Sequence, residues 1–103
     1  MTENLRPSLY GAQHPLIVVN QKRNNSDQTE AVVHGRACES GDLMTPDPED
    51  PTKLKPRLMK TADIGSLLVI GGAGAYCESM SARGYNSYPK ADAVGYHLGK
   101  LAW

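Results

Sequence analysis

The sequence predicts an all-β fold, a small β-sandwich or Greek-key barrel-like domain of about five to seven short strands. Three observations carry this. The apolar runs are short and rich in β-branched residues. Ten Gly and seven Pro are spread through 103 residues and would interrupt helix interiors. No long stretch carries an apolar stripe of 3.6-residue period, and only residues 74–82 have room for a short helix.

Taken in order, the first strand is Leu16-Ile17-Val18-Val19, entered through Pro15. The polar segment 20–28, with its turn-prone Asn24-Asn25 pair, reads as a solvated loop, and Thr29 to His34 reads as a second strand closing a hairpin with the first. Residues 45–57 carry Pro46, Pro48, Pro51 and Pro56 and form a second loop that cannot be helical. Its acidic residues Asp47, Glu49 and Asp50 lack the Gly and terminal Glu of an EF-hand, so a solvated loop is preferred to a calcium site. Ala62-Asp63-Ile64-Gly65 reads as a turn into the strongest strand, 66–70. Val94, Tyr96 and Leu98 alternate with Gly95 and His97 as in a half-buried strand, and Gly99-Lys100 turns the chain into Leu101-Ala102-Trp103.

Composition narrows the function classes. The whole chain, 1–103, has the length of one domain. Eleven Lys plus Arg balance eleven Asp plus Glu, which argues against a dedicated nucleic-acid binder, because such proteins need clustered positive charge. One Trp, five Tyr and no Phe make a modest core that leans on another surface for part of its stability. The amino terminus has no apolar signal core, and the apolar stretch 66–75 is about half the length a bilayer requires, so no membrane association is expected. Cys38 and Cys77 show neither CxxC nor zinc-finger spacing, and the histidines His14, His34 and His97 have no metal-ligand spacing. The expectation is a cytoplasmic protein with reduced thiols and no metal site, its three histidines ordinary surface or strand residues.

Three constellations can carry chemistry. Cys38-Glu39-Ser40-Gly41-Asp42 puts a thiol, a carboxylate and a hydroxyl around a glycine turn. A thiol can protonate a carbon acid, and a carboxylate beside it can hold an amine. Read from residues alone, this loop is first a structural one, with Ser40 and Asp42 bonded to backbone and Cys38 small and buried. Gly71-Gly72-Ala73-Gly74-Ala75-Tyr76 follows a strand, and its N–H groups and the Tyr76 hydroxyl suit a single phosphate, or simply a turn. A dinucleotide site is rejected, because Cys77 stands where a third Gly or Ala belongs and no βαβ unit surrounds it. In Arg6-Pro7-Ser8-Leu9-Tyr10, read as extended, Arg6 and Tyr10 share a face suited to a carboxylate.

In this order the segments resemble the carboxy-terminal β-domain of the diaminopimelate decarboxylases, pyridoxal-phosphate enzymes of the alanine racemase-like fold. The resemblance rests on Arg6 to Ala12 with His14, on Gly35 to Asp42, and on the Asp63/Gly65 turn. It continues through Gly74-Ala75-Tyr76 with Ser79-Met80 and Tyr85-Asn86 before Pro89. It runs over roughly residues 5–94, and CESGD at 38–42 is its specific element. It implies that Cys38 is the catalytic thiol that reaches into a partner subunit's site and protonates the α-carbon after CO₂ leaves. By the same resemblance Glu39 contacts the distal end of the substrate, Arg6 and Tyr10 bind its distal carboxylate, and Tyr76 lies against the cofactor near its phosphate.

The resemblance further implies the conversion of meso-2,6-diaminopimelate to L-lysine and CO₂ at a homodimer interface. Pyridoxal 5′-phosphate would be present in the complete enzyme only. Its Schiff-base lysine belongs to a preceding (β/α)₈ barrel domain, and 103 residues cannot hold one, since such a barrel needs about 250. Lys53, Lys55, Lys60, Lys90 and Lys100 carry no mark of that role. The chain therefore reads as a fragment-like domain, inactive alone. The alternative is a stand-alone, non-catalytic β-domain that binds or regulates a full-length decarboxylase. A related enzyme acting on ornithine, arginine or a carboxylated polyamine is disfavoured by CESGD together with RPSLY.

Overall fold

A computed structural model describes residues 5–22 and 26–102. Asn24, Asn25 and Trp103 lie outside the described residues. The chain begins with one helical turn, α1 (Pro7–Tyr10), and continues through β1 (Leu16–Val19), β2 (Gln28–Ala31), β3 (Arg57–Lys60) and β4 (Leu67–Ile70). A 3₁₀ turn (Tyr85–Ser87) precedes β5 (Gly95–His97) and β6 (Lys100–Ala102).

The all-β expectation holds, but the strands form three separate antiparallel pairs, β1–β4, β2–β3 and β5–β6. No closed barrel exists among the described residues. Strands of three or four residues, separated by proline and glycine loops, are too short to propagate one continuous ladder.

The predicted hairpin between the first two strands is not formed. β1 instead pairs with β4, in the register Leu16↔Ile70, Ile17↔Val69, Val18↔Leu68 and Val19↔Leu67. The β2–β3 ribbon, Gln28↔Lys60 to Ala31↔Arg57, lies nested in sequence between them. The physical reason is side-chain matching across strands: the apolar LIVV finds the apolar LLVI, while the polar QTEA takes RLMK. Asn20, at the end of β1, fixes the nesting. Its Nδ2 donates to the Thr61 carbonyl at 2.9 Å, and its Oδ1 accepts the Ser66 hydroxyl. The β5–β6 hairpin turns through Leu98 and Gly99, both at positive φ, the backbone of a two-residue primed turn.

Two local expectations change. Residues 75–80 form turns rather than a helix. Residues 7–10, read as extended, are a helical turn: Pro7 sits in its first turn, where a missing N–H costs nothing, and Gly11 closes it at φ 65° with its N–H on the Pro7 carbonyl.

The core is as small as the composition implied. Leu5, Val18 and Leu43 are its buried hydrophobic side chains, beside the fully enclosed Thr45, Pro7 and Pro46. The proline-rich loop thus contributes to the core at its start, where Thr45 Oγ1 accepts the Val33 N–H at 3.0 Å. Its acidic residues shape its turns: Asp47 accepts the Glu49 N–H, and Asp50 accepts the Thr52 N–H. On the β1–β4 ribbon, Ile17, Val19, Leu67 and Val69 share one face, and all four are exposed. No helix among the described residues is long and apolar enough to cross a membrane.

Candidate functional site

Two side-chain clusters gather the residues singled out above. The first surrounds a cavity of about 330 Å³ lined by Arg6, Tyr10, His14, Tyr76, Cys77 and Met80, among others. Arg6 stands immediately before α1, with no side-chain capping bond, and Tyr10 ends it. One helical turn brings residues four apart to the same side, so their shared face survives the change from extended to helical backbone. Tyr76 arrives from the glycine-rich turn after β4, itself at φ 68°, and the residue is 74% exposed.

His14 joins the two segments, and it is not the ordinary surface or strand residue expected from its spacing. It is buried, and its Nδ1 lies 3.1 Å from the Gly71 carbonyl, which can only accept, so an Nδ1–H donates there. Arg57 on β3 holds the same segment, with Nη1 on the His14 carbonyl and Nη2 on Gln13 Oε1, both at 2.7 Å. Gln13 in turn donates to the Pro46 carbonyl at 2.8 Å. The cavity wall is therefore braced from β3 and from the proline-rich loop. Sequence reading gave His14 no bracing role and did not single out Arg57, because their partners lie 57 and 43 positions away.

The second cluster is the CESGD loop. Its base is closed by Asp42, which is 3% exposed. The Asp42 backbone carbonyl accepts the Gly35 N–H, its carboxylate accepts the Ala37 N–H at 2.7 Å, and its own N–H donates to the Glu39 carbonyl. Gly35 is required by this packing, since a Cβ there would stand 2.2 Å from both carboxylate oxygens. For Asp42 the structural reading is therefore right. Cys38, in contrast, is exposed rather than small and buried.

Cys38 and Glu39 meet the 3₁₀ turn. Asn86 Nδ2 lies 3.3 Å from Cys38 Sγ, and the Tyr85 hydroxyl lies 3.4 Å from Glu39 Oε2. Glu39 Oε1 also accepts the Gly41 N–H at 3.1 Å. Partial burial, then the charges of Glu39 and Cys38, hold the Tyr85 phenol above the usual tyrosine range. A bond from the Ser8 hydroxyl to the Gly41 carbonyl, 3.0 Å, ties this loop to the helical turn that carries Arg6 and Tyr10. The structure thus brings Arg6, Tyr10 and Tyr76 onto one cavity and sets Cys38 and Glu39 in a neighbouring cluster that does not line it.

Chemically, the cavity offers a guanidinium, two phenols and an imidazole, a set suited to carboxylate or phosphate oxygens. The loop offers an accessible thiol and an oriented carboxylate.

Residues 1–74 match the family model described as the C-terminal sheet domain of pyridoxal-dependent decarboxylases. The diaminopimelate decarboxylase of Mycobacterium bovis is 33% identical over 99 residues, 96% of this chain and 20% of that protein. The diaminopimelate decarboxylase of Buchnera aphidicola subsp. Baizongia pistaciae is 40% identical over 88 residues, 82% of this chain and 20% of that protein. A crystal structure of diaminopimelate decarboxylase superposes with a TM-score of 0.81 at 31% identity, covering 93% of this chain and 23% of the solved one. The chain thus spans about a fifth of the length of the curated relatives it matches.

Proposed function

The chain belongs to the pyridoxal-dependent decarboxylase family, whose C-terminal sheet domain it carries, and from that premise we propose that it supplies the substrate-binding and proton-donating side chains of a composite decarboxylase site. The reaction is the loss of CO₂ from meso-2,6-diaminopimelate to give L-lysine, in the cytoplasm. The rest of the site would come from a (β/α)₈ barrel domain and from a second copy across a dimer interface. The observation that carries the proposal is the gathering of Arg6, Tyr10 and Tyr76 on one cavity, with Cys38 and Glu39 in the adjoining loop.

The residues present fit the flank of pyridoxal phosphate. Tyr76 and Arg6 offer hydroxyl and guanidinium donors to phosphate or carboxylate oxygens, and no lysine lines the cavity to hold the cofactor covalently. The bound cofactor supplies the sink for the electron pair left when CO₂ departs.

This chain's residues then have four tasks. Arg6 pairs its planar fork with the distal carboxylate, and the Tyr10 hydroxyl donates a second bond to it. Glu39, oriented by Tyr85 and Gly41, accepts from the distal ammonium. Tyr76 contacts the cofactor beside its phosphate. Cys38 reaches into the site of the second copy and gives its proton to the α-carbon there: the S–H bond breaks, a C–H bond forms, and the thiolate recovers a proton from solvent. Selectivity comes from the far end of the substrate, because a substrate lacking the second charged centre leaves Arg6 and Glu39 unpaired.

The test is CO₂ release from meso-2,6-diaminopimelate by the complete enzyme, this domain joined to its pyridoxal-binding barrel. Cys38→Ala is expected to lower turnover by about 10²–10⁴-fold. Arg6→Gln is expected to raise KM more than it lowers kcat. An unchanged rate in Cys38→Ala, or no CO₂ release from the wild-type assembly, would overturn the assignment. A second reading, a non-catalytic domain that binds a full-length decarboxylase, draws on the exposed apolar face of Ile17, Val19, Leu67 and Val69.

A further inference from the structure

The CESGD loop and the turn that follows Gly84 face each other in a consistent antiparallel order. The Arg36 guanidinium lies over the Tyr88 ring, 3.8 Å from its centroid. Two residues on, Cys38 Sγ faces Asn86 Nδ2 at 3.3 Å, and Glu39 faces the Tyr85 hydroxyl at 3.4 Å. Each step forward on one segment is a step back on the other. The register is therefore that of an antiparallel pair, here held by side chains.

The backbone of the turn is specialised for this. Gly84, Asn86 and Ser87 all take positive φ, at 76°, 54° and 60°. Asn is among the few non-glycine residues that visit this region readily. At position 86 it combines that backbone with a side-chain N–H donor, a pairing that neither Gly nor Asp provides.

We propose that Asn86 is a positioning residue for Cys38, its side-chain amide donating to the sulfur so as to fix the thiol and receive negative charge when the proton leaves. The proposal rests on the reading of Cys38 as the proton donor and adds to it the group that stabilises the thiolate. Tyr85 engages the Glu39 carboxylate while Asn86 engages the sulfur, so one turn supplies both neighbouring acceptors with a donor.

The experiment reads the thiol directly and needs no decarboxylation. The full chain is alkylated with iodoacetamide across a pH series, and Cys38 and Cys77 are followed separately by peptide mass spectrometry. Asn86→Asp keeps size and backbone preference but replaces the donor with an anion, and the alkylation midpoint of Cys38 is expected to rise by about one pH unit or more. Asn86→Gly keeps the left-handed backbone and removes the amide, and a smaller rise in the same direction is expected. Cys77, in the neighbouring cavity, is expected to keep its wild-type profile in both variants. A Cys38 profile in Asn86→Gly that superposes on wild type would overturn the proposal. The readout separates the two readings: an active Cys38→Ala enzyme would remove the catalytic role of Cys38 and leave the Asn86 contact standing.

Discussion

Gly35→Ala is the sharpest test of how the CESGD loop is built. The added Cβ would stand 2.2 Å from both Asp42 carboxylate oxygens, where ordinary contact begins near 3.4 Å. Asp42 is 3% exposed, so its carboxylate has no solvent to turn into without leaving the Ala37 N–H. Losing such a charge-assisted bond costs about 1.5–3 kcal/mol. Against this, Gly→Ala at a position that is not left-handed stabilises by about 0.4–1 kcal/mol through the unfolded chain. The first term is larger, and a net loss of about 0.5–2.6 kcal/mol is expected. In an Asp42→Ala background the obstacle is gone, and the same substitution is expected to stabilise by about 0.4–1 kcal/mol. Urea unfolding of the four proteins, followed by circular dichroism, closes the cycle. Equal effects of Gly35→Ala in both backgrounds, within about 0.5 kcal/mol, would refute the claim that the buried carboxylate dictates glycine at this position.

Two further outcomes follow from the bracing of the cavity and from the exposed ion pairs. Arg57→Met keeps the aliphatic stem but removes the donors to the His14 carbonyl and Gln13; it should lower stability by about 1–3 kcal/mol, and an unchanged urea midpoint would show that the brace adds nothing. Glu78 is held below the usual carboxylate range by its bond to Lys90, then by the charges of Lys90 and Arg83. Its folded form therefore binds its proton more weakly than the unfolded chain does. The stabilisation is complete above the ordinary glutamate value of about 4.3 and is lost as pH falls through the lowered folded value. The protection of amides in residues 78–90 against exchange, corrected for the intrinsic rate at each pH, should therefore fall on acidification below that point, and added salt should weaken the effect; a pH-independent local exchange free energy would contradict it.

The elements with a strong local signal were legible in the chain. Leu16–Val19 and Leu67–Ile70 declare themselves as strands by apolar, β-branched composition, and the prolines of 45–57 exclude a helix whatever surrounds them. The last hairpin was legible only in part: Gly99 marks its turn, but Leu98 and Gly99 make it rather than Gly99 and Lys100, and the strand expected to be half-buried is exposed throughout. The pairing of the strands was not legible in this way. Proximity in sequence favoured a hairpin from β1 to β2, but cross-strand complementarity joined β1 to β4, and that energy exists only once both strands are present. Pro7 opened a helical turn where an extended segment was expected, because proline suits a first helical turn as well as an extended chain.

The same division holds at the candidate site. Sequence by itself determined the family, the chemical types of Arg6, Tyr10, Cys38, Glu39 and Tyr76, and the thinness of the core, since these depend on residue identity and order. Only the tertiary structure decided that Arg6, Tyr10 and Tyr76 share a cavity, that His14 and Arg57 brace it, and that Asn86 and Tyr85 face Cys38 and Glu39. Those contacts join segments more than forty positions apart. A hydrogen bond between such segments has no periodic or local trace in the chain, and it becomes defined when the strands between them have been paired.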